Sequence, residues 1–164
     1  TVANNGVSYR PRLVQAVMDR TSGNLQELPA VPRGKINAKP ETFRVIKDAL
    51  ADVVTKGTAT RAKSSMVTIG GKTGTAQVAA LRTGPEENIP KKFRDHAWFV
   101  AFAPVESPKI AVAVLGEHMG HGGAAAAPLA KEVIETYMKL APQVPAVTSD
   151  LSGVNRSERS AKDS

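Results

Sequence analysis

The stretch Ile69-Gly70-Gly71-Lys72-Thr73-Gly74-Thr75-Ala76-Gln77-Val78 decides the reading of this chain. It packs one cation, two hydroxyls and three glycines into seven residues, Gly70 to Ala76. Met66, Val67 and Thr68 precede it, and Ala79 follows. Apolar and β-branched flanks predict a strand. Small residues inside a strand let a ligand approach the backbone closely, and Gly74 has no side chain to obstruct it. Lys72 then offers a point charge, and Thr73 and Thr75 offer hydroxyl donors, to a carboxylate or phosphate.

Gly71-Lys72-Thr73 ends like a phosphate-binding loop. That motif needs a glycine five positions before Gly71, where Met66 stands, and it must open a helix. Gly74 to Val78 reads as strand, so the nucleotide reading is set aside.

Gly71-Lys72-Thr73-Gly74-Thr75-Ala76-Gln77 is a longer match to the Lys-Thr-Gly element of serine acyl-transferases and β-lactamases. Further on stand Arg94-Asp95-His96-Ala97-Trp98-Phe99 and Ala101-Phe102-Ala103-Pro104. On these motifs the chain resembles the class B penicillin-binding proteins, and among them the cell-elongation type, penicillin-binding protein 2. The resemblance covers about Thr1 to Leu140 and begins in the middle of the family's catalytic domain. It implies part of an α/β (α+β) transpeptidase fold, serine β-lactamase-like, with an antiparallel sheet covered by helices.

Composition sets outer bounds. The chain has 164 residues, enough for one domain with a core, and carries no cysteine, so disulfides and thiol catalysis are excluded. No apolar run approaches the roughly 20 residues of a membrane span. Net charge is +7. In the last stretch Arg156, Arg159 and Lys162 cancel Asp150, Glu158 and Asp163, so the excess sits in the body. The basic residues are scattered and aromatics make up only 4%, which argues against nucleic-acid binding.

Along the chain, Asn5 and Gly6 suit the left-handed cap of a helix ending there, one whose start would precede residue 1. Tyr9 to Asp19 reads as one edge strand with Leu13, Val14, Val17 and Met18 apolar. Thr21-Ser22-Gly23-Asn24 reads as a turn, and Leu25 to Lys39, with Pro29, Pro32 and Gly34, as irregular connection. Pro40 to Lys56 is a helix, with Phe43, Ile46, Leu50, Val53 and Val54 at helical spacing and Gly57 as its stop. Ala80 to Asp95 reads as an exposed loop. Ala97–Ala103 and Ile110–Gly116 read as strands apolar at successive positions, hence covered on both faces. Ala124 to Leu140 reads as a second helix, with Pro128 in its first turn and Leu129, Val133, Tyr137 and Leu140 on one stripe. Residues 1–142 form the transpeptidase portion, and residues 143–164 a disordered tail.

The resemblance also implies chemistry. A serine attacks the carbonyl between two D-alanines of a peptidoglycan stem peptide, and β-lactams acylate the same serine. Carried over, Lys72 is catalytic, orienting the substrate carboxylate and supporting proton transfer. Thr73 and Thr75 bind that carboxylate, Gly74 keeps the strand approachable, and the Thr75 N–H is an oxyanion donor. The family's Ser-x-x-Lys nucleophile is missing here. Thr60-Arg61-Ala62-Lys63 and Thr136-Tyr137-Met138-Lys139 have the spacing with threonine, in a loop and at a helix end, and are rejected. Ser22-Gly23-Asn24 has the Ser-x-Asn form but follows the Ala-Asn-Asn-Gly segment, and reads as a hairpin turn. This chain alone is expected not to acylate.

No cofactor is expected. Zinc needs more ligands than His118 and His121 with Glu117 provide, and His96 reads as a hydrogen-bonding residue at a strand start. Implied partners are stem peptides, β-lactams, the N-terminal part of the same domain and a lipid-II-polymerising glycosyltransferase. Implied placement is the extracytoplasmic face of the bacterial inner membrane, through an anchor on the parent protein. Two other readings stay open: a β-lactamase or β-lactam sensor, and a non-catalytic carboxylate-binding module.

Overall fold

A computed structural model describes residues 1–78 and 89–140. Residues 79–88, most of the expected 80–95 loop, and 141–164, including the expected tail, lie outside the described residues.

The chain opens on a helix-ending turn. The Gly6 N–H donates to the Thr1 carbonyl (2.9 Å) and the Asn5 N–H to that of Val2 (3.1 Å), the paired bonds of a Schellman cap. Asn5 and Gly6 take φ of +49° and +96°, as their residue types favour. Gly6 is also tight: a Cβ there would sit 2.7 Å from the Phe43 ring.

Two hairpin-like pairs follow. Strand β1 (Val7–Tyr9) pairs antiparallel with β4 (Pro32–Lys35), and β2 (Ala16–Met18) with β3 (Leu25–Glu27). The expected single strand over Tyr9 to Asp19 is therefore two, and the expected irregular connection contains two more. The break falls at Pro11, which has no N–H for a ladder, just after Arg10 donates to the Val31 carbonyl (2.9 Å). Pairing, not local propensity, makes β3 and β4 strands. Between β2 and β3 the Asp19 carboxylate accepts from the N–H groups of Thr21 (2.7 Å) and Ser22 (2.9 Å). Those bonds hold the Asp19 carboxyl below the usual carboxylate range, and Ser22-Gly23-Asn24 completes the turn. The apolar Leu13, Val14, Val17 and Met18 are all exposed.

Helix α1 (Pro40–Thr55) starts with Pro at N1, carries Glu41 in its first turn and ends at Lys56. Phe43 and Val54 are buried and Leu50 and Val53 half-buried, whereas Ile46 faces out. Lys47 takes the inward place on that side; its Nζ donates to Asn5 Oδ1 (2.8 Å), fixing the opening turn to the helix.

Strands β5 (Gly70–Ala76), β6 (His96–Ala103) and β7 (Ile110–Gly116) form one antiparallel sheet in that order, and helix α2 (Gly122–Leu140) lies across it. Strand β5 ends at Ala76, short of the expected Val78, and the flanking Met66 to Ile69 stay outside it. Ser64 Oγ accepts the Met66 N–H (3.0 Å) and bends the chain before Gly70. The core gathers Ala97, Phe99, Ala101 and Ala103 of β6, Ala126, Ala127, Ala130 and Ile134 of α2, and Val54, Ala59, Ala62 and Ile69.

Three expectations about this layer are corrected. Only one sheet face is covered by a helix: Trp98, Val100 and Leu115 on the other are 38–49% exposed. The stripe Leu129, Val133 and Leu140 likewise faces outward. The buried side of α2 is its alanine side, because small residues let the helix lie close on the sheet. Pro128 is the seventh residue of α2, not in its first turn. Its missing N–H leaves the Ala124 carbonyl without a helical donor, and Arg61 Nη1 supplies one at 3.0 Å.

Candidate active-site strand

Among the described residues strand β5 stands at the sheet edge, paired on one side only. Its register sets Lys72 opposite Val100, Thr73 opposite Phe99, Gly74 opposite Trp98 and Thr75 opposite Ala97. Paired residues share a face, and faces alternate along a strand. Lys72 and Gly74 thus lie on the open face with Val100 and Trp98; Thr73 and Thr75 lie on the α2 side with Phe99 and Ala97. What the four share is their place on the edge strand β5 rather than one face.

Packing requires the glycine at 71 and is tight at 74. A Cβ on Gly71 would fall 2.5 Å from the Phe99 ring and 2.8 Å from the Val100 carbonyl oxygen. At Gly74 it would meet the Trp98 Cβ at 3.2 Å. Lys72 is exposed, and its ammonium donates to the Thr73 carbonyl (2.9 Å). The Thr73 hydroxyl pairs with that of Thr58 at 2.9 Å.

The first turn of α2 presses on this strand from behind. A Cβ on Gly122 would lie 2.1 Å from the Trp98 carbonyl oxygen and 2.6 Å from that of Gly74. One on Gly123 would lie 2.0 Å from the Thr58 carbonyl oxygen. Sequence reasoning named Lys72, Thr73, Gly74 and Thr75 and passed over Thr58, Gly122 and Gly123. The only local signal for Thr58 is a hydroxyl directly after the helix stop Gly57; that it reaches Thr73 is a tertiary fact.

At the far end, Ala76 pairs with His96. His96 opens β6 and its Nδ1 accepts the His118 N–H (3.0 Å), while His118 Nδ1 donates to the Arg94 carbonyl (3.0 Å). His96 is a hydrogen-bonding residue at a strand start, as expected. Among the described residues no three His, Asp or Glu side chains gather as metal ligands. Thr60–Ala62 is a 3-10 turn and Lys139 lies in the last turn of α2, so neither Thr-x-x-Lys match opens a helix. A cavity of about 380 Å³ lies between α1 and the segment before β5, lined by Val54, Met66, Val67 and Ile69 among others, and Lys72 is not part of it.

The family described as penicillin binding protein transpeptidase domain matches residues 1–135. Peptidoglycan D,D-transpeptidase MrdA of Acinetobacter baumannii is 35% identical over 141 residues, 83% of this chain and 20% of that protein. The chain thus spans about a fifth of that relative's length. The D,D-transpeptidase domain of a peptidoglycan glycosyltransferase from Eggerthella lenta superimposes with a TM-score of 0.68 at 27% identity, covering 87% of this chain and 30% of that one. Penicillin-binding protein A of M. tuberculosis, solved as a ceftriaxone acyl-enzyme complex, gives 0.64 at 31% identity over 82% of this chain and 29% of that one. The sheet and its covering helix are part of the serine β-lactamase-like transpeptidase fold. From motif, sheet and family match together, the chain belongs to the penicillin-binding protein transpeptidase domains, in the class B branch of penicillin-binding protein 2 type.

Proposed function

We propose that this chain forms one wall of the acylation cleft of a peptidoglycan D,D-transpeptidase. The observation that carries the reading is an edge strand that displays Lys72-Thr73-Gly74-Thr75 on its unpaired side. Lys72 supplies the cation that orients the carboxylate of a stem peptide or β-lactam and supports proton transfer. Thr73 and Thr75 bind that carboxylate, and Gly74 lets it close on the backbone. The Thr75 N–H serves the oxyanion. Support for this comes from the Thr73 carbonyl, which Lys72 engages and which is therefore turned to the free edge. Alternate residues of an antiparallel strand repeat that orientation, so the Thr75 N–H points the same way. One such pre-placed donor is worth about 3 kcal/mol in the transition state.

The nucleophilic serine and the second wall belong to the N-terminal part of the same domain, since no serine here has a lysine three residues on. That part also covers the open face of the sheet. The whole protein is anchored in the inner membrane with this domain outside the cytoplasm, and works beside a lipid-II-polymerising glycosyltransferase. Among the described residues no helix is long and apolar enough to cross a membrane. A β-lactamase or sensor would share the strand and differ in deacylation.

Fluorescent penicillin tests the reading. The full-length protein becomes labelled, this chain by itself does not, and Lys72→Ala in the full-length protein lowers labelling at least about 100-fold, the scale of losing an electrostatic transition-state contact. Labelling of the isolated chain, or full labelling of the Lys72→Ala protein, defeats it.

A further inference from the structure

The Thr58–Thr73 hydroxyl pair has a direction that matters. Two hydroxyls 2.9 Å apart share one proton donation, and either can be the donor. If Thr73 donated, its proton would be spent on Thr58 and only lone pairs would face an anion. If Thr58 donates, Thr73 accepts and keeps its own proton for the ligand. An approaching carboxylate selects the second arrangement, because a hydrogen bond to a charged acceptor is stronger than one between neutral hydroxyls.

We propose that Thr58 is a positioning residue that donates to Thr73 Oγ1 and thereby aims the Thr73 proton at the ligand carboxylate. This rests on the transpeptidase reading of the strand and adds a residue outside the Lys-Thr-Gly element. The surroundings hold Thr58 in place. Gly57 precedes it with its Cα against the Val53 backbone, where a Cβ would come within 2.8 Å. Ala59 follows it, fully buried, its N–H donating to the Val53 carbonyl (3.0 Å). From the other side Gly123 packs on the Thr58 carbonyl and leaves no room for a methyl group. Arg61, three residues on, is tied to the Ala124 carbonyl of the same helix turn (3.0 Å). The hydroxyl is thus delivered to Thr73 from a backbone clamped between the end of α1 and the start of α2.

The test compares acylation of the full-length protein by a penicillin free acid and by its methyl ester, which cannot offer a carboxylate. Thr58→Val keeps the shape and removes the donor. Its acylation efficiency with the acid falls about fivefold, the scale of one neutral hydrogen bond, while the ester rate is unchanged, and Thr58→Ser restores the acid rate. The acid-to-ester ratio is read within each protein, so a change in folded fraction does not move it. Parallel loss with acid and ester would make Thr58 merely structural and overturn the proposal, as would an unchanged ratio with Thr58→Val. Failure of the unmutated protein to be acylated by the free acid would instead overturn the reading on which the proposal rests.

Discussion

At the scale of single residues, backbone contact rather than side-chain chemistry sets the tightest limits around the strand. Gly122 begins α2 with its Cα against the carbonyls of Gly74 and Trp98. A methyl group there has no flexible neighbour to displace, only backbone oxygens. Gly122→Ala is expected to cost about 3 kcal/mol, the upper range for overpacking, read as a lowered thermal midpoint of the full-length protein. Gly34 is the matched control: a Cβ there meets only Ser8 Oγ, at 3.8 Å, and Gly34→Ala should leave the midpoint nearly unchanged. Equal effects at the two sites would show that the close approach at Gly122 does not constrain the fold. At the same scale the Thr73 carbonyl accepts a hydrogen bond from the Lys72 ammonium, which keeps two further N–H donors.

At the scale of elements, α2 tolerates a proline seven residues in because another element supplies the missing donor. Arg61 comes from the 3-10 turn after α1, and its guanidinium reaches the Ala124 carbonyl that Pro128 cannot serve. Arg61→Met should cost about 1 kcal/mol in denaturant unfolding, the net worth of one such bond. In a Pro128→Ala background the helix N–H returns, and the same substitution should cost much less. An undiminished cost would mean that Arg61 acts through something other than the Ala124 carbonyl. A second pairing of this kind fixes the turn after β6. Thr68 Oγ1 donates to Glu106 Oε2 at 2.5 Å and holds the Glu106 carboxyl below the usual carboxylate range. A carboxyl so depressed favours the folded state above its ordinary range and loses that effect as pH falls through its folded value.

At the scale of the whole molecule, the apolar surface is unevenly finished. One sheet face packs against α2, while the other presents Trp98, Val100 and Leu115, and the outer stripe of α2 presents Leu129 and Val133. Among the described residues strand β7 also ends the sheet with an unpaired edge. Contiguous exposed apolar residues beside a free strand edge favour association. Produced on its own, the chain should bind an apolar dye such as ANS and self-associate in sedimentation; with the N-terminal part of its domain supplied, both should subside. A monodisperse, dye-silent chain would contradict the idea that these faces await the rest of the domain.

The sequence by itself determined the family, the two long helices, the order of three strands followed by a helix, and the candidate residues Lys72, Thr73, Gly74 and Thr75. Those features are local: a motif of fixed spacing, a helical period, a proline or glycine at an element's end. Asn5 and Gly6 were legible for the same reason, since a left-handed cap is written in residue type. Tertiary structure alone decided which helix stripe is buried, because the alanine side of α2 and its leucine side repeat with the same period and only the sheet's proximity chooses. It decided that Leu25 to Lys35 contains strands, because pairing comes from partners more than from propensity. It also decided which face of the sheet Lys72 meets and which Thr73 and Thr75 meet, and brought Thr58 to Thr73 across fifteen residues of chain. Contacts at that separation depend on how α1, α2 and the sheet close on one another, which no short stretch of sequence records.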